Sequence, residues 1–430
     1  MESKYGLMLH LTPILFVAGT TIEGEVELNF TELQEEQIDE VHIKLRGSVH
    51  TWIRNDETSF FEYTSLVREN APIWSRGTVY PTPGTHLLRV PFSLNLPAGL
   101  PPSFHFRAFQ RTASVRYSIQ LVGVRPGSFR INRRIRRPLA VVPTDPAGAL
   151  VSSALRLGWL GPWRTAECQD KIRKGLLWGD YAHVKAELTL PAVDVLTLFA
   201  PIPLTITVTT TTAPTKHRDA ESSTSSKPIF PAPPAAPTDL ELTLHRRVHI
   251  RAKVFAATCE QLVVALHAPP VHVDVEGPDK EWVSADTIEK PETDKKGAKG
   301  DGDGEKGVWV QRVTMRLAVS LACPPSFAID NIKNDYFVRL KVPFAGIGNT
   351  LVLQLPVRIS SGIEHARVHP DLDVLAQLPT LDLPRRTGIT PIASGMTTRT
   401  ERCAPGDVFR VSKTVVRSAA TANVSLYHVA

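Results

Sequence analysis

The sequence predicts an all-β chain built as two tandem antiparallel sandwiches. Three observations carry that expectation. Apolar residues recur at every second position through most of the chain, which is the period of a half-buried strand. Charged residues make up only 21% and proline reaches 35 copies, a balance that favours short strands joined by proline-bearing loops over long helices. The phrase PPSF occurs twice, as Pro101–Phe104 and Pro324–Phe327, each time followed by an alternating run. A chain of 430 residues is too long for one ordinary core, so about two or three domains are expected.

The first stretch, MESKYGLMLHLTPILFVAGTT, is broken by Lys4, His10 and Pro13 and does not read as a signal peptide. No segment approaches the roughly 18 consecutive apolar residues that cross a bilayer, so a soluble or at most peripheral chain is expected. In TIEGEVELNF, Ile22, Gly24, Val26 and Leu28 share one face and Glu23, Glu25 and Glu27 the other. VHIKLRGSVHTWI repeats the pattern with Val41, Ile43 and Leu45, and HLLRVPFSLNLP, VRYSIQLVGV and PLAVVP complete the series. These strands define a first sandwich over residues 1–145.

Residues 146–180 read as a connector. Leu150, Val151, Ala154, Leu155 and Leu157, then Trp159, Leu160 and Trp163, suit one or two short helical turns until Gly158, Gly161 and Pro162 interrupt them. Basic residues beside Trp and Leu suit a membrane surface, but interrupted patterns of this kind are more often satisfied within the molecule, so packing across a domain junction is expected. A second set of strands spans residues 181–363. Two insertions, at about 213–239 and 289–307, are too polar or too rich in Ser, Pro and Gly to bury a core and are expected to be disordered, as is most of the tail 364–430.

Aligning the two PPSF copies, with four residues allowed for, superposes Tyr117 on Tyr336 and brings together the strand faces Val115, Tyr117, Ile119, Leu121 and Tyr336, Val338, Leu340, Val342. A repeat of half-chain period implies one sandwich duplicated in tandem.

Chemistry is sparse. Cys168, Cys259, Cys323 and Cys403 form no C-x-x-C pair and suit reduced thiols, while His245, His249, His267 and His272 lack a third ligand at metal spacing. Asp301 and Asp303 in DGDGEKG lack the helices and the bidentate Glu of a calcium loop. No hydrolase, P-loop, zincin or dinucleotide motif occurs, so no catalysis, cofactor or metal is expected. The net charge of +6 is modest, but RINRRIRRP gathers Arg130, Arg133, Arg134, Arg136 and Arg137. Such a run attracts phosphate on a protein, an anionic lipid headgroup or a nucleic acid. Without interleaved aromatics or a recognised module, nucleic acid is not expected.

At four places the sequence resembles the arrestin family, and in particular the fungal α-arrestins, the arrestin-related trafficking adaptors. These are LPPSFHFRAFQRTASVRYSIQLVGV (Leu100–Val124), RRIRRPLAVV (Arg133–Val142), CPPSFAIDNIKNDYFVRLKV (Cys323–Val342) and LVLQLPVRI (Leu351–Ile359). The resemblance covers about residues 4–363. It implies two immunoglobulin-type β-sandwiches and an adaptor that binds cytoplasmic tails of membrane transporters or receptors and links them to endocytic or ubiquitylation machinery. It also implies a cytoplasmic protein, peripheral at the plasma membrane or endosomes. By the resemblance, phosphorylated or acidic tails meet Arg133, Arg134, Arg136 and Arg137, with Arg107 and Arg111 as further candidates. Arg suits that task because its fork gives one phosphate two bonds.

The sequence departs from the α-arrestin pattern in lacking PPxY, the motif that recruits a ubiquitin ligase, so any ligase link is indirect. LPTLD (Leu378–Asp382) is a clathrin-box pattern with Pro at a position that should be bulky and apolar, and GDVFRVSKTVVR (Gly406–Arg417) alternates as a strand would. The alternative function is a structural scaffold of arrestin fold in a trafficking coat, akin to the retromer subunit of that architecture, with no phosphate-dependent cargo binding.

Overall fold

In the computed structural model, residues 5–364 are described apart from 13–14, 56, 128, 174, 176–180, 217–228, 267–272 and 285–305. The clathrin-box pattern, the alternating 406–417 segment and Cys403 lie outside the described residues, as do 217–228 and 289–305 of the two expected insertions.

The N-terminal lobe holds β1 (Leu7–His10), β2 (Phe16–Val17), β3 (Thr21–Asn29), β4 (Glu40–Asn55), β5 (Thr58–Ser75), β6 (Leu87–Asn95), β7 (Phe104–Ala108), β8 (Arg111–Val124), β9 (Arg133–Leu139) and β10 (Val141–Val142). One sheet runs β1-β3-β6; the facing sheet runs β5-β4-β8-β7, with β9 also on β8; β2 and β10 pair in parallel. The side chains read as inward from the sequence fill the space between: Ile22, Val26, Leu28, Val41, Ile43, Leu45, Val115, Tyr117, Ile119 and Leu121 are all buried. A short helix, α1 (Phe30–Glu35), opens where Asn29 caps the chain by accepting from the Thr31 amide.

The C-terminal lobe holds β11 (Trp163–Arg173), β12 (Tyr181–Pro191), β13 (Leu196–Thr197), β14 (Ile202–Thr211), β15 (Thr215–Lys216), β16 (Glu241–Ala252), β17 (Phe255–Ala265), β18 (Val273–Ser284), β19 (Lys306–Val319), β20 (Phe327–Ile329), β21 (Ile332–Pro343), β22 (Thr350–Val357) and β23 (Ile359–Ser360). Its pairing repeats the core of the first lobe and adds β11 on β12, and β15 and β18 on β19. β12-β14-β19 matches β1-β3-β6, β17-β16-β21 with β20 and β22 matches β5-β4-β8 with β7 and β9, and the parallel pair β13 and β23 matches β2 and β10.

The PPSF phrase is the fastening point of each copy. Tyr117 Oη donates to the Pro101 carbonyl at 2.8 Å, and Tyr336 Oη donates to the Pro324 carbonyl at 2.6 Å. The Ser103 amide donates to Val141 O at 2.7 Å while Ser103 Oγ accepts from the Val141 amide at 2.9 Å. Ser326 does the same with Ile359, at 2.8 and 3.0 Å. Each phrase therefore ties the strand carrying its tyrosine to the short strand that closes its lobe. Burial pushes both phenols far above the usual tyrosine range, so each acts as a neutral donor. Tyr117 also explains Gly47, which sits opposite it in the register: a Cβ at Gly47 would come within 2.7 Å of the tyrosine ring.

Removing either hydroxyl leaves a carbonyl without its donor. Tyr117→Phe and Tyr336→Phe are each expected to lower stability by about 1–2 kcal/mol in denaturant titrations. A loss below the error of the titration in both variants would contradict the fastening role.

The lobes meet through apolar surface. Val248, Ile250, Ala252, Cys259 and Ile332 of the second lobe belong to the same buried cluster as the first lobe's core. Phe104 and Phe327, the last residues of the two PPSF phrases, stack edge to face across the junction at 5.1 Å. Arg246 lies over the rings of Phe104 and Phe106 at 5.4 and 5.2 Å, and donates to His105 O and Gln261 Oε1.

Several segments differ from the sequence expectation. The connector divides: α2 (Pro146–Arg156) is helical, capped by the Asp145 carboxylate on the Gly148 amide, but Trp163–Arg173 is strand β11 at the edge of the second lobe. Its inward positions Ala166 and Cys168 are too small and mixed to register as an apolar stripe. Within 213–239, Thr215–Lys216 pairs with β19, and residues 229–239 are ordered against expectation. Buried Gln311 donates to the carbonyls of Ile229 and Pro231, both at 3.1 Å, and Asp239 accepts from the Ala235 and Ala236 amides. Phe230 packs against the second lobe's core and Pro231 and Pro234 are buried, so apolar contact and polar anchoring hold the segment together. Lys306 and Gly307, assigned to the second insertion, begin β19. Among the described residues no helix is long and apolar enough to cross a membrane.

Candidate functional site

Strand β9 carries the arginine run, and its alternation decides what the run can do. Ile135 and Leu139 are buried, at 7% and 6% exposure, so they fix one face of β9 against the core. Arg133 and Arg137 share that parity, whereas Arg134 and Arg136 project from the opposite, exposed face.

The run is therefore not one surface. Arg133 is committed internally: its Nε donates to Glu36 Oε2 at 2.8 Å, its Nη2 lies 2.8 Å from the same oxygen, and its guanidinium covers the Tyr5 ring at 4.4 Å. Arg111 also has the inward parity, opposite Ile53, and its Nη1 reaches Cys259 Sγ of the second lobe at 3.4 Å. Arg137 is only partly exposed on the core-side parity. Arg107, on β7, does fall on the outer face with Arg134 and Arg136.

That outer face belongs to the β5-β4-β8 sheet, and its register brings together cations that the run did not reveal. Across the sheet the rows read His42, Val122, Arg134; then Asn70, Lys44, Gln120, Arg136; then Arg68, Arg46, Ser118; then Ser48, Arg116; then Tyr63, His50, Ser114, His105. Lys44, Arg46, Arg68 and Arg116 thus join Arg107, Arg134 and Arg136. Arg46 is fixed by donating to the Glu69 carbonyl at 2.7 Å and to Asn70 Oδ1. Lys44, Arg68, Arg107, Arg116, Arg134 and Arg136 make no ion pair among the described residues. By register, the one carboxylate among the described residues of this face is Glu40, at its edge, where it meets His42 at 3.0 Å.

The histidines record the field these cations make. Burial, and then the charges of Arg116 and Arg136, hold His50 below the usual imidazole range. Burial, then Arg116, Arg246 and Arg107, do the same to His105. Burial and then Arg68 lower even Arg46. Both imidazoles are consequently neutral near pH 7, and the face carries its positive charge on Arg and Lys alone. His50 also packs against Tyr63 at 4.8 Å and Phe61 at 5.9 Å, so the cationic rows pass into an aromatic end near the β4–β5 hairpin. Such a surface is chemically suited to an extended anion: guanidinium forks offer paired donors to phosphate or carboxylate groups, and the rings offer flat apolar contact between them.

Among the described residues no group of His, Cys, Asp and Glu is arranged to hold a metal ion. Burial pushes the Cys168 and Cys323 thiols up to about 11, which keeps both protonated and poorly nucleophilic.

Residues 12–145 match the family model of the arrestin (or S-antigen) N-terminal domain. The match spans β2 to β10, and so includes the β5-β4-β8 sheet and all the cations of its outer face. No curated protein matches the chain.

Proposed function

We propose that the protein is an adaptor of the arrestin type, akin to the fungal α-arrestins, that takes acidic or phosphorylated cytoplasmic tails of membrane transporters or receptors on the outer face of its first lobe. The remainder of the chain links that cargo to endocytic or ubiquitylation machinery, with any ligase engaged indirectly. The protein acts on the cytoplasmic side, peripheral to the plasma membrane or endosomes.

One observation carries this reading. Lys44, Arg68, Arg107, Arg116, Arg134 and Arg136 share a sheet face with no ion pair among the described residues and a single carboxylate at its rim. Like charges on neighbouring strands oppose folding, so their concentration on one face is best accounted for by an anionic partner that neutralises them. A coat scaffold would need no such concentration.

Titrating the full chain with a synthetic tail peptide, in matched phosphoserine and serine forms, tests the reading. The phosphorylated form is expected to bind at least about tenfold tighter, with an advantage that shrinks as salt rises past the roughly 10 Å screening length of 0.1 M ionic strength. Equal affinity for both forms, flat in salt, would favour the scaffold.

A further inference from the structure

We propose that the loop between β8 and β9 is a membrane-contact tip that places Phe129 and Ile131 among the headgroups of an anionic bilayer. The two residues are 100% and 82% exposed, and they stand in a short loop with Arg130 between them. A lone exposed apolar residue needs no explanation, but two so fully bared in one loop beside cations do.

The base of this loop is firmly held. Asn132 Oδ1 accepts from the Arg125 amide at 3.1 Å, and the Arg130 amide turns back to Gly127 O at 3.3 Å, where Gly127 supplies a φ of +107°. Glu36, just past α1, draws in both flanking arginines, with Arg133 at 2.8 Å and Arg125 at 3.9 Å. Phe129 and Ile131 are thereby kept at the rim by a fixed frame and have no core position to fall back into. The register sets Val124, Glu40 and Ser75 at the same end of the sheet, and just beyond Ser75 the exposed Val79 and Tyr80 add apolar surface there.

Charge decides among occupants. Arg130, Arg134 and Arg136 flank the tip without ion pairs among the described residues. Apolar residues carried beside unpaired arginines fit the boundary between acyl chains and anionic headgroups, where each contribution alone is weak and the two together hold. The placement is independent of tail binding, although the two are compatible. A bilayer at this end would leave the cationic rows running away from the membrane, where a tail leaving the same bilayer could lie along them.

The test is flotation of the full chain with vesicles of phosphatidylcholine alone and of phosphatidylcholine mixed equally with phosphatidylserine. The chain is expected to float with the mixed vesicles only. Phe129→Ser combined with Ile131→Ser, at sites too exposed to disturb the core, is expected to weaken that partition by roughly tenfold or more while leaving phosphopeptide affinity unchanged. As a second readout, Phe129→Trp is expected to shift its emission to the blue on adding the mixed vesicles. Unchanged flotation of the double variant, equal flotation with both vesicle types, no flotation at all, or an emission that does not move would each overturn the proposal. A parent chain that floats with the mixed vesicles, and loses that flotation in the double variant, but binds both peptide forms equally would count against the tail-binding surface and leave the tip standing.

Discussion

Phe104→Ala is expected to destabilise the protein by about 3–5 kcal/mol, the usual range for removing a large aromatic from a core. Phe104 is 3% exposed, and two groups of the second lobe pack on its ring. Phe327 meets its edge, Arg246 lies on its face, and Phe106 completes the platform under the same guanidinium. Burial lowers the affinity of Arg246 for its proton, which marks a cation kept in a poorly solvated place by these contacts. Deleting the ring therefore opens a cavity and also strips a buried charge of part of its support.

Because the ring belongs to one lobe and Phe327 to the other, the loss falls on the joint between them. A double-mutant cycle of Phe104→Ala and Phe327→Ala is expected to give a coupling of about 0.5–1.5 kcal/mol in urea titrations. Additive losses would mean that the stack does not join the lobes.

The duplication was legible because the same short phrase performs the same hydrogen bonding twice. Pro-Pro-Ser-Phe is local in sequence, and Tyr117 and Tyr336 follow it closely enough for the eye to align them. Edge strands were not legible. β5 and β18 carry little clean alternation, since neighbours cover them incompletely and nothing forces one face to be apolar. In β18 the Gly277–Pro278 step further hides the strand, which continues past it only through a break in register between Glu276 and Asp279.

For the surface, the arginine run was visible and its division was visible too, had the parity set by Ile135 and Leu139 been followed. What no local reading supplies is the register between β4, β8 and β9. Lys44 and Arg46 look like ordinary polar members of one strand, and Arg116 of another. Only the pairing of Gln120 with both Lys44 and Arg136 shows that they form one field.

That difference between a run and a face yields the second large effect. Arg116→Glu combined with Arg136→Glu is expected to weaken phosphopeptide binding by roughly 100-fold or more. Each reversal removes a charge-assisted contact of about 1.5–3 kcal/mol and adds repulsion in its place. Both side chains are exposed and both press on His50, so the fold should tolerate the change or gain slightly from relieved repulsion. Arg133→Glu is the contrasting variant. It is as basic a member of the run and as close in sequence, but it points to the other side and would set a second carboxylate against Glu36. It is expected to lower thermal stability while leaving peptide affinity within about threefold of the parent, since a charge across the sheet is felt only through screened, long-range attraction. Affinity lost equally in all three substitutions would mean that the run acts as one diffuse charge and that strand parity has no part in recognition.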